Sequence, residues 1–154
     1  MTNLKSPKEV EIFTDGACQG NPGPGGWAAI LRYGKVVKEI SGAEPFTTNN
    51  RMELTAVIEA LKTLKEPCKV TISMDSQYVK KGITEWLPKW KQRNWLTVSK
   101  AKVKNIDLWK ALDTEASKHV VTWRWIKGHT GIPENEKCDF LAKDAIKKMK
   151  VQWE

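Results

Sequence analysis

The stretch Val10-Glu11-Ile12-Phe13-Thr14-Asp15-Gly16 sets the reading of the whole chain. Val10, Ile12 and Thr14 alternate with Phe13 on the opposite side, which is the period of a β-strand, and the strand is expected to end at Asp15-Gly16. A run rich in glycine and proline, Gly20-Asn21-Pro22-Gly23-Pro24-Gly25-Gly26, follows and reads as a turn. Further strands are predicted at about 27–32 and 36–41, joined through Tyr33-Gly34-Lys35. Three consecutive strands with short connections form an antiparallel meander.

Beyond the meander the apolar period changes from two residues to about 3.6. Leu54, Val57, Ile58, Leu61 and Leu64 make one stripe of a helix, with Thr47, Thr48, Asn49 and Asn50 as candidate caps and Pro67 as the stop. A fourth strand over 69–74 runs into Asp75, and a helical segment starts at Ser76. Another helix is predicted around 105–117, a fifth strand over 120–126, and a last helix from about Pro133. Cys138, Leu141, Ala142, Ala145 and Met149 form the apolar line of that last helix. This order predicts an α/β domain: a five-stranded mixed sheet, the antiparallel meander plus two parallel strands, with helices on both faces. All 154 residues read as one domain, with 1–8 a loose N-terminal extension.

A net charge of +8 and a pI near 9.4 favour a polyanionic partner, with an anionic membrane surface the weaker option. The N-terminus has no signal-like apolar run, and no stretch has the length needed to span a bilayer. Cys18, Cys68 and Cys138 are odd in number and lack paired ligand spacing, so neither a disulfide framework nor a zinc ribbon is supported. They fit a cytoplasmic protein with reduced thiols. Cys138 and His129 alone fall two ligands short of a zinc site.

Four acids stand out by their settings: Asp15, Glu53, Asp75 and Asp139. Asp15 and Asp75 each close a predicted strand. If those strands are adjacent and parallel, both carboxylates emerge side by side at one sheet edge. Glu53 precedes the buried stripe of its helix by one residue, and Asp139 flanks the apolar line of the last helix, so all four can converge at one end of the sheet. Hard oxygen ligands gathered in this way suit Mg²⁺ or Mn²⁺, and pairs of such ions catalyse phosphodiester hydrolysis. Each acid also has an ordinary reading. Asp15-Gly16 fits a turn, Asp75 a helix N-cap, Glu53 a capping-box partner of Asn50, and Asp139 a solvated surface acid.

The motifs around these residues weigh against the ordinary readings. Thr14-Asp15-Gly16, the Gly20–Gly26 run and Thr47-Thr48-Asn49-Asn50-Arg51-Met52-Glu53-Leu54 come first. Asp75-Ser76-Gln77-Tyr78-Val79, Lys127-Gly128-His129-Thr130-Gly131 and Pro133-Glu134-Asn135-Glu136 follow. Together and in this order they resemble type 1 ribonuclease H, and within it the bacterial ribonuclease HI group, from about Val10 to Lys147. The resemblance implies a ribonuclease H-like fold and a cytoplasmic endonuclease that hydrolyses the RNA strand of RNA–DNA hybrids, leaving 3′-hydroxyl and 5′-phosphate ends. It also implies that Asp15, Glu53, Asp75 and Asp139 hold two Mg²⁺ ions, replaceable by Mn²⁺, one to activate water and one to stabilise the leaving 3′ oxygen. His129 falls at the family's mobile-loop histidine, with a supporting part in proton transfer or product release. Its reference pKa of roughly 6.5 suits that duty near neutrality, and an ordinary exposed loop histidine is the alternative.

The 2′-hydroxyl separates RNA from DNA, and the resemblance places Cys18, Asn21, Glu53 and Gln77 near consecutive RNA sugars. Thr48, Asn49 and Asn50 resemble the phosphate pocket and minor-groove contacts to the DNA strand. Some bacterial relatives carry Arg where this chain has Phe46, so any phosphate contact from that side chain is missing. Between Trp86 and Lys104 the chain carries Lys89, Lys91, Arg93, Lys100, Lys102 and Lys104 and no acid. This segment resembles the family's basic protrusion, whose lysines give salt-dependent grip on phosphates, here through Lys91, Arg93 and Lys102. Trp86, Trp90 and Trp95 are read mainly as packing, with Trp86 the one assigned to the substrate side; Trp109, Trp123 and Trp125 read as structural.

The expected partner is an RNA–DNA hybrid, with no membrane, no small-molecule cofactor and a monomeric enzyme. A DNA strand-transfer enzyme of the same fold would use fewer carboxylates and lack these motif contexts together. A non-catalytic hybrid-binding module would gain by losing negative charge near phosphates. A basic core-packed protein with no nuclease role is left remote by the motif order.

Overall fold

Alternation along Val10–Phe13 gives the sheet two apolar faces, and each face has its own cover. The computed structural model describes residues 7–96, 103–127 and 131–153. The strands are β1 (Lys8–Cys18), β2 (Gly23–Tyr33), β3 (Val36–Thr47), β4 (Cys68–Met74) and β5 (Val120–Trp125). The helices are α1 (Asn49–Thr63), α2 (Gln77–Lys81), α3 (Leu87–Gln92), α4 (Ile106–Ala116) and α5 (Pro133–Trp153), and a π-helical turn, Gly82–Trp86, joins α2 to α3. The sheet runs β3-β2-β1-β4-β5, with β1–β2 and β2–β3 antiparallel and β1–β4 and β4–β5 parallel. The expected meander plus two parallel strands is therefore present, with helices on both faces.

Val10 and Ile12 of β1 meet Leu54 and Leu61 of α1, Val79 of α2, and Trp109 and Leu112 of α4 in the larger core. Phe13, Ala28 and Ile30 instead pack on Cys138 and Ala142 of α5. Leu54, Leu61 and Trp109 are fully buried, and each such leucine contributes about 1.5–3 kcal/mol by leaving water. Among the described residues no helix is long and apolar enough to cross a membrane.

Three local expectations change. β1 continues past Asp15-Gly16 to Cys18, and β3 reaches Thr47 rather than ending near Ser41. The Gly20–Gly26 run is a turn only at its start, because Gly23-Pro24-Gly25-Gly26 belongs to β2, with a register shift between Gly23 and Gly25. The reason is close packing. A Cβ on Gly26 would stand 2.1 Å from the Ala142 carbonyl oxygen of α5, and one on Gly25 would stand 2.4 Å from the Thr47 methyl. Turn chemistry in the sequence is here strand chemistry, selected by neighbours that need bare backbone.

A polar cluster ties the helices together. Tyr78 Oη accepts hydrogen bonds from Trp109 Nε1 at 2.9 Å and Asn105 Nδ2 at 3.0 Å. Arg51 of α1 donates to Asn105 Oδ1 at 3.2 Å and grips Asp107 with both terminal nitrogens, at 3.0 and 2.7 Å. That guanidinium holds the Asp107 carboxyl below the usual carboxylate range. Trp109 also lies across Gly82, where a Cβ would stand 1.8 Å from the indole, so the π-helical turn presents its one residue without a side chain to the ring. Trp90 packs edge-on against Trp109 and is flanked by Trp86 and Trp95, with ring centroids 5.5, 5.8 and 6.4 Å away.

Candidate active site

Parallel pairing of β1 with β4 decides where the acids go. Phe13 stands level with Ser73, so Asp15, still inside β1, and Asp75, just past the end of β4, stand side by side. Asp15 shares the Phe13 face of β1, toward α5, by the two-residue repeat of a strand. Glu53 comes from the other layer. Gly16 admits it: a Cβ there would lie 2.6 Å from the Glu53 amide nitrogen and 2.7 Å from the Met52 carbonyl carbon, so α1 rests directly on the strand. One carboxylate oxygen each from Asp15, Glu53 and Asp75 then lie within 4.8 Å of one another.

The ordinary readings of Asp15, Asp75 and Glu53 do not hold. Asp15 is inside β1 rather than at a turn. Ser76, not Asp75, caps α2, its Oγ accepting from the Val79 amide at 3.1 Å. Thr48 caps α1 by accepting from the Arg51 amide at 3.2 Å, so Arg51 fills the position a capping-box glutamate would need. Asp139, its side chain 44 % exposed, keeps the setting of a surface acid and forms an ion pair. Its Oδ2 accepts from Lys143 Nζ at 3.0 Å, and its charge reaches Asp15.

Electrostatics follow from burial. Asp15 is 8 % exposed and Glu53 6 %. Loss of solvent, then the charge of Asp75, then that of Asp139, push the Asp15 carboxyl up to about 7, against the pull of the Gly16 amide at 2.9 Å. Glu53 is raised well above the usual range by burial first and by Asp15 and Asp75 next. Glu53 Oε2 is buried with no hydrogen-bond partner among the described residues. A carboxylate oxygen in that position is costly unless something positive meets it. Three hard oxygen donors at this spacing, one unpartnered, fit a small divalent cation held through oxygen.

The other expected residues divide into two groups. Cys18 sits at the end of β1, its thiol donating to the carbonyls of Thr47 at 3.4 Å and Gly23 at 3.6 Å, which pins the shifted register of β2 and β3. Asn21 Oδ1 accepts from the Asn49 amide at 2.9 Å, tying the turn to the start of α1, where Thr48 and Asn50 also stand half-buried. Gln77 is exposed at the first position of α2. These residues lie on the elements that carry the carboxylates or in the turn after β1: Cys18 on β1, Thr48, Asn49 and Asn50 at the start of α1, and Gln77 two residues past Asp75. Trp86 is half-buried with its ring edge-on to Tyr78. Lys91 and Arg93 are exposed at the end of α3, Lys91 Nζ lying 3.3 Å from Asp113. His129 and Lys102 fall outside the described residues. Phe46 is 74 % exposed at the end of β3. Lys143 was not among the expected site residues; its spacing of four from Asp139 on a helix was the available signal.

The family model for RNase H matches residues 7–147. A ribonuclease H of Hydrogenovibrio crunogenus is 63 % identical over 139 residues, covering 90 % of this chain and 96 % of that protein. One from Paramagnetospirillum magneticum is 58 % identical over 146 residues, covering 95 % of each. Among solved structures, LC9-RNase H1, a type 1 RNase H with the type 2 active-site motif, superposes with a TM-score of 0.84 at 34 % identity, covering 96 % of this chain and 75 % of that one. LC11-RNase H1, solved in complex with an RNA/DNA hybrid, shares the fold with a TM-score of 0.71 at 23 % identity, over 91 % of this chain and 98 % of that one. The chain belongs to the type 1 ribonuclease H family, whose members are hydrolases acting as nucleases.

Proposed function

We propose that this enzyme is an endonuclease cutting the RNA strand of RNA–DNA hybrids, with Asp15, Glu53, Asp75 and Asp139 holding two Mg²⁺ ions that Mn²⁺ can replace. The observation that carries the reading is the carboxylate cluster, in which two buried acids and Asp75 bring oxygens within 4.8 Å and Glu53 Oε2 lacks a protein partner among the described residues. When bound, the ions supply Lewis acidity at the scissile phosphate, giving 3′-hydroxyl and 5′-phosphate ends.

The chain's own groups do the rest. Burial of Asp15 and Glu53 keeps water from competing for their oxygens, and the close seat of α1 on β1 at Gly16 holds the two acids together. Cys18, Asn21, Glu53 and Gln77 read 2′-hydroxyls of the RNA strand. Thr48, Asn49 and Asn50 receive the DNA strand at the start of α1, where backbone amides favour anions. Lys91, Arg93 and Lys102 grip phosphates beyond Trp86, and His129 assists proton transfer or product release. In this reading the enzyme works as a monomeric single domain in the cytoplasm, without a small-molecule cofactor.

The test is one labelled RNA sequence offered as RNA–DNA hybrid, single strand, RNA duplex and, in its DNA version, DNA duplex, each with Mg²⁺ or EDTA. Cutting confined to the hybrid's RNA strand, lost in EDTA and nearly abolished in a folded Asp75→Asn variant, is expected. Hybrid binding without cutting in Mg²⁺ or Mn²⁺ would move the chain to a binding module, and full activity of Asp75→Asn would remove the metal assignment.

A further inference from the structure

We propose that Lys143 is a positioning residue that holds Asp139 by an ion pair on α5, so that the ammonium competes with a cation recruiting Asp139. This rests on the reading of Asp139 as a metal ligand given above.

Asp139 and Lys143 are four residues apart on α5, with Nζ 3.0 Å from Oδ2. Three of the four acids gather their oxygens within 4.8 Å, and Asp139 is not one of them. It nonetheless lines a groove with Ala17 and Cys18, two and three residues past Asp15 on β1, so it stands at the lip of the cluster rather than far from it. Among the described residues it is also the one acid of the four in an ion pair. The Lys143 side chain is 65 % exposed, so its release meets little packing. Asp139 and Lys143 line the same groove, about 450 Å³, with Cys18, Phe140 and Lys147.

Two effects oppose a cation here. A cation taking Asp139 Oδ2 must break the pair, and exposed pairs at this helical spacing are weak, worth about a factor of two. The ammonium also repels a divalent ion arriving beside it, an effect that salt screens. Together they should weaken the binding step that uses Asp139 by about threefold to tenfold at low ionic strength. The site would thereby carry its own competitor, setting the Mg²⁺ concentration at which the fourth carboxylate joins.

The experiment is Mn²⁺ binding to the metal-free protein without nucleic acid, followed to saturation through the EPR signal of the free ion at low salt. Asp139→Asn identifies the step that uses this carboxylate. Lys143→Met is expected to tighten that step about threefold to tenfold, and Lys143→Arg to restore wild-type affinity. Lys147→Met, which removes the same charge one turn further along α5, is expected to change it less than about twofold. Equal gains from Lys143→Met and Lys147→Met, or none from Lys143→Met while Asp139→Asn weakens binding, would overturn the tether and leave Asp139 a ligand. Unchanged binding in Asp139→Asn would instead remove the reading beneath it. Circular dichroism of each variant keeps folding losses separate.

Discussion

Replacing Asp15 by Asn should make the metal-free protein more stable, and only at neutral or alkaline pH. The carboxyl is pushed from its ordinary 3.8 to about 7. A folded state that raises an acid holds its proton more tightly than the unfolded chain does. Between about pH 4 and 7 the folded state therefore binds more protons, and stability falls as pH rises. Below the unfolded value both states are protonated and the cost vanishes; above about 7 it is fully present. At about 1.4 kcal/mol per pH unit the ceiling is about 4 kcal/mol, and about 2–4 is expected because the charge is shared with Asp75 and Glu53. Asn keeps an oxygen for the Gly16 amide, so the hydrogen bond at 2.9 Å survives. Differential scanning calorimetry in EDTA should show Tm raised by about 5–10 °C at pH 8 and little changed at pH 4. Mg²⁺ should narrow the gap by stabilising the wild-type protein. A Tm difference that is absent at pH 8, or equally large at pH 4, would refute the argument.

Three further outcomes are expected. Gly16→Ala sets a Cβ 2.6 Å from the Glu53 amide, so α1 must retreat; cleavage should fall at least about tenfold with about 1–3 kcal/mol of stability lost, and full activity would show that α1 can shift freely. Gly82→Ala drives a methyl into Trp109 and should cost about 1–3 kcal/mol or more in urea unfolding, while kcat of the folded fraction stays near wild type. Neutralising Lys91, Arg93 and Lys102 should weaken hybrid binding and flatten its salt dependence by about 0.7–0.9 for each phosphate no longer neutralised; an unchanged slope would take the basic segment out of the interface.

The carboxylate site was legible because its geometry is set by period and pairing. Once Val10–Asp15 and 69–74 are read as strands of one sheet, parallel neighbours must deliver Asp15 and Asp75 to the same edge. Glu53 follows from the helical stripe beginning at Leu54. What could not be read depends on packing between distant segments. Gly23–Gly26 carries a turn's composition, yet Ala142, Thr47 and Met52, all far along the chain, require bare backbone there and draw it into β2. Cys18, expected beside an RNA sugar, also has a thiol bonded to carbonyls of β2 and β3, a role no local pattern announces. The π-helical turn is likewise fixed by Trp109, from another helix, lying against Gly82.

The polar and aromatic cluster around Tyr78 gives the basic excursion a fixed root. Trp90 and Trp95 lie at its outgoing end, Asn105 and Trp109 at its return, and all four belong to one connected group of rings and hydrogen bonds. Arg51 fastens that group to the helix bearing Glu53. Joining Trp95 to Trp109 through Trp90 fixes where the segment between them leaves and rejoins the body of the protein. The length, charge and reach of that segment can then be rewritten at little thermodynamic cost, since a change in loop length enters the closure entropy only logarithmically. In the proposed function the grip on nucleic acid is then an interchangeable attachment, and the carboxylate cluster keeps its geometry whichever one is fitted.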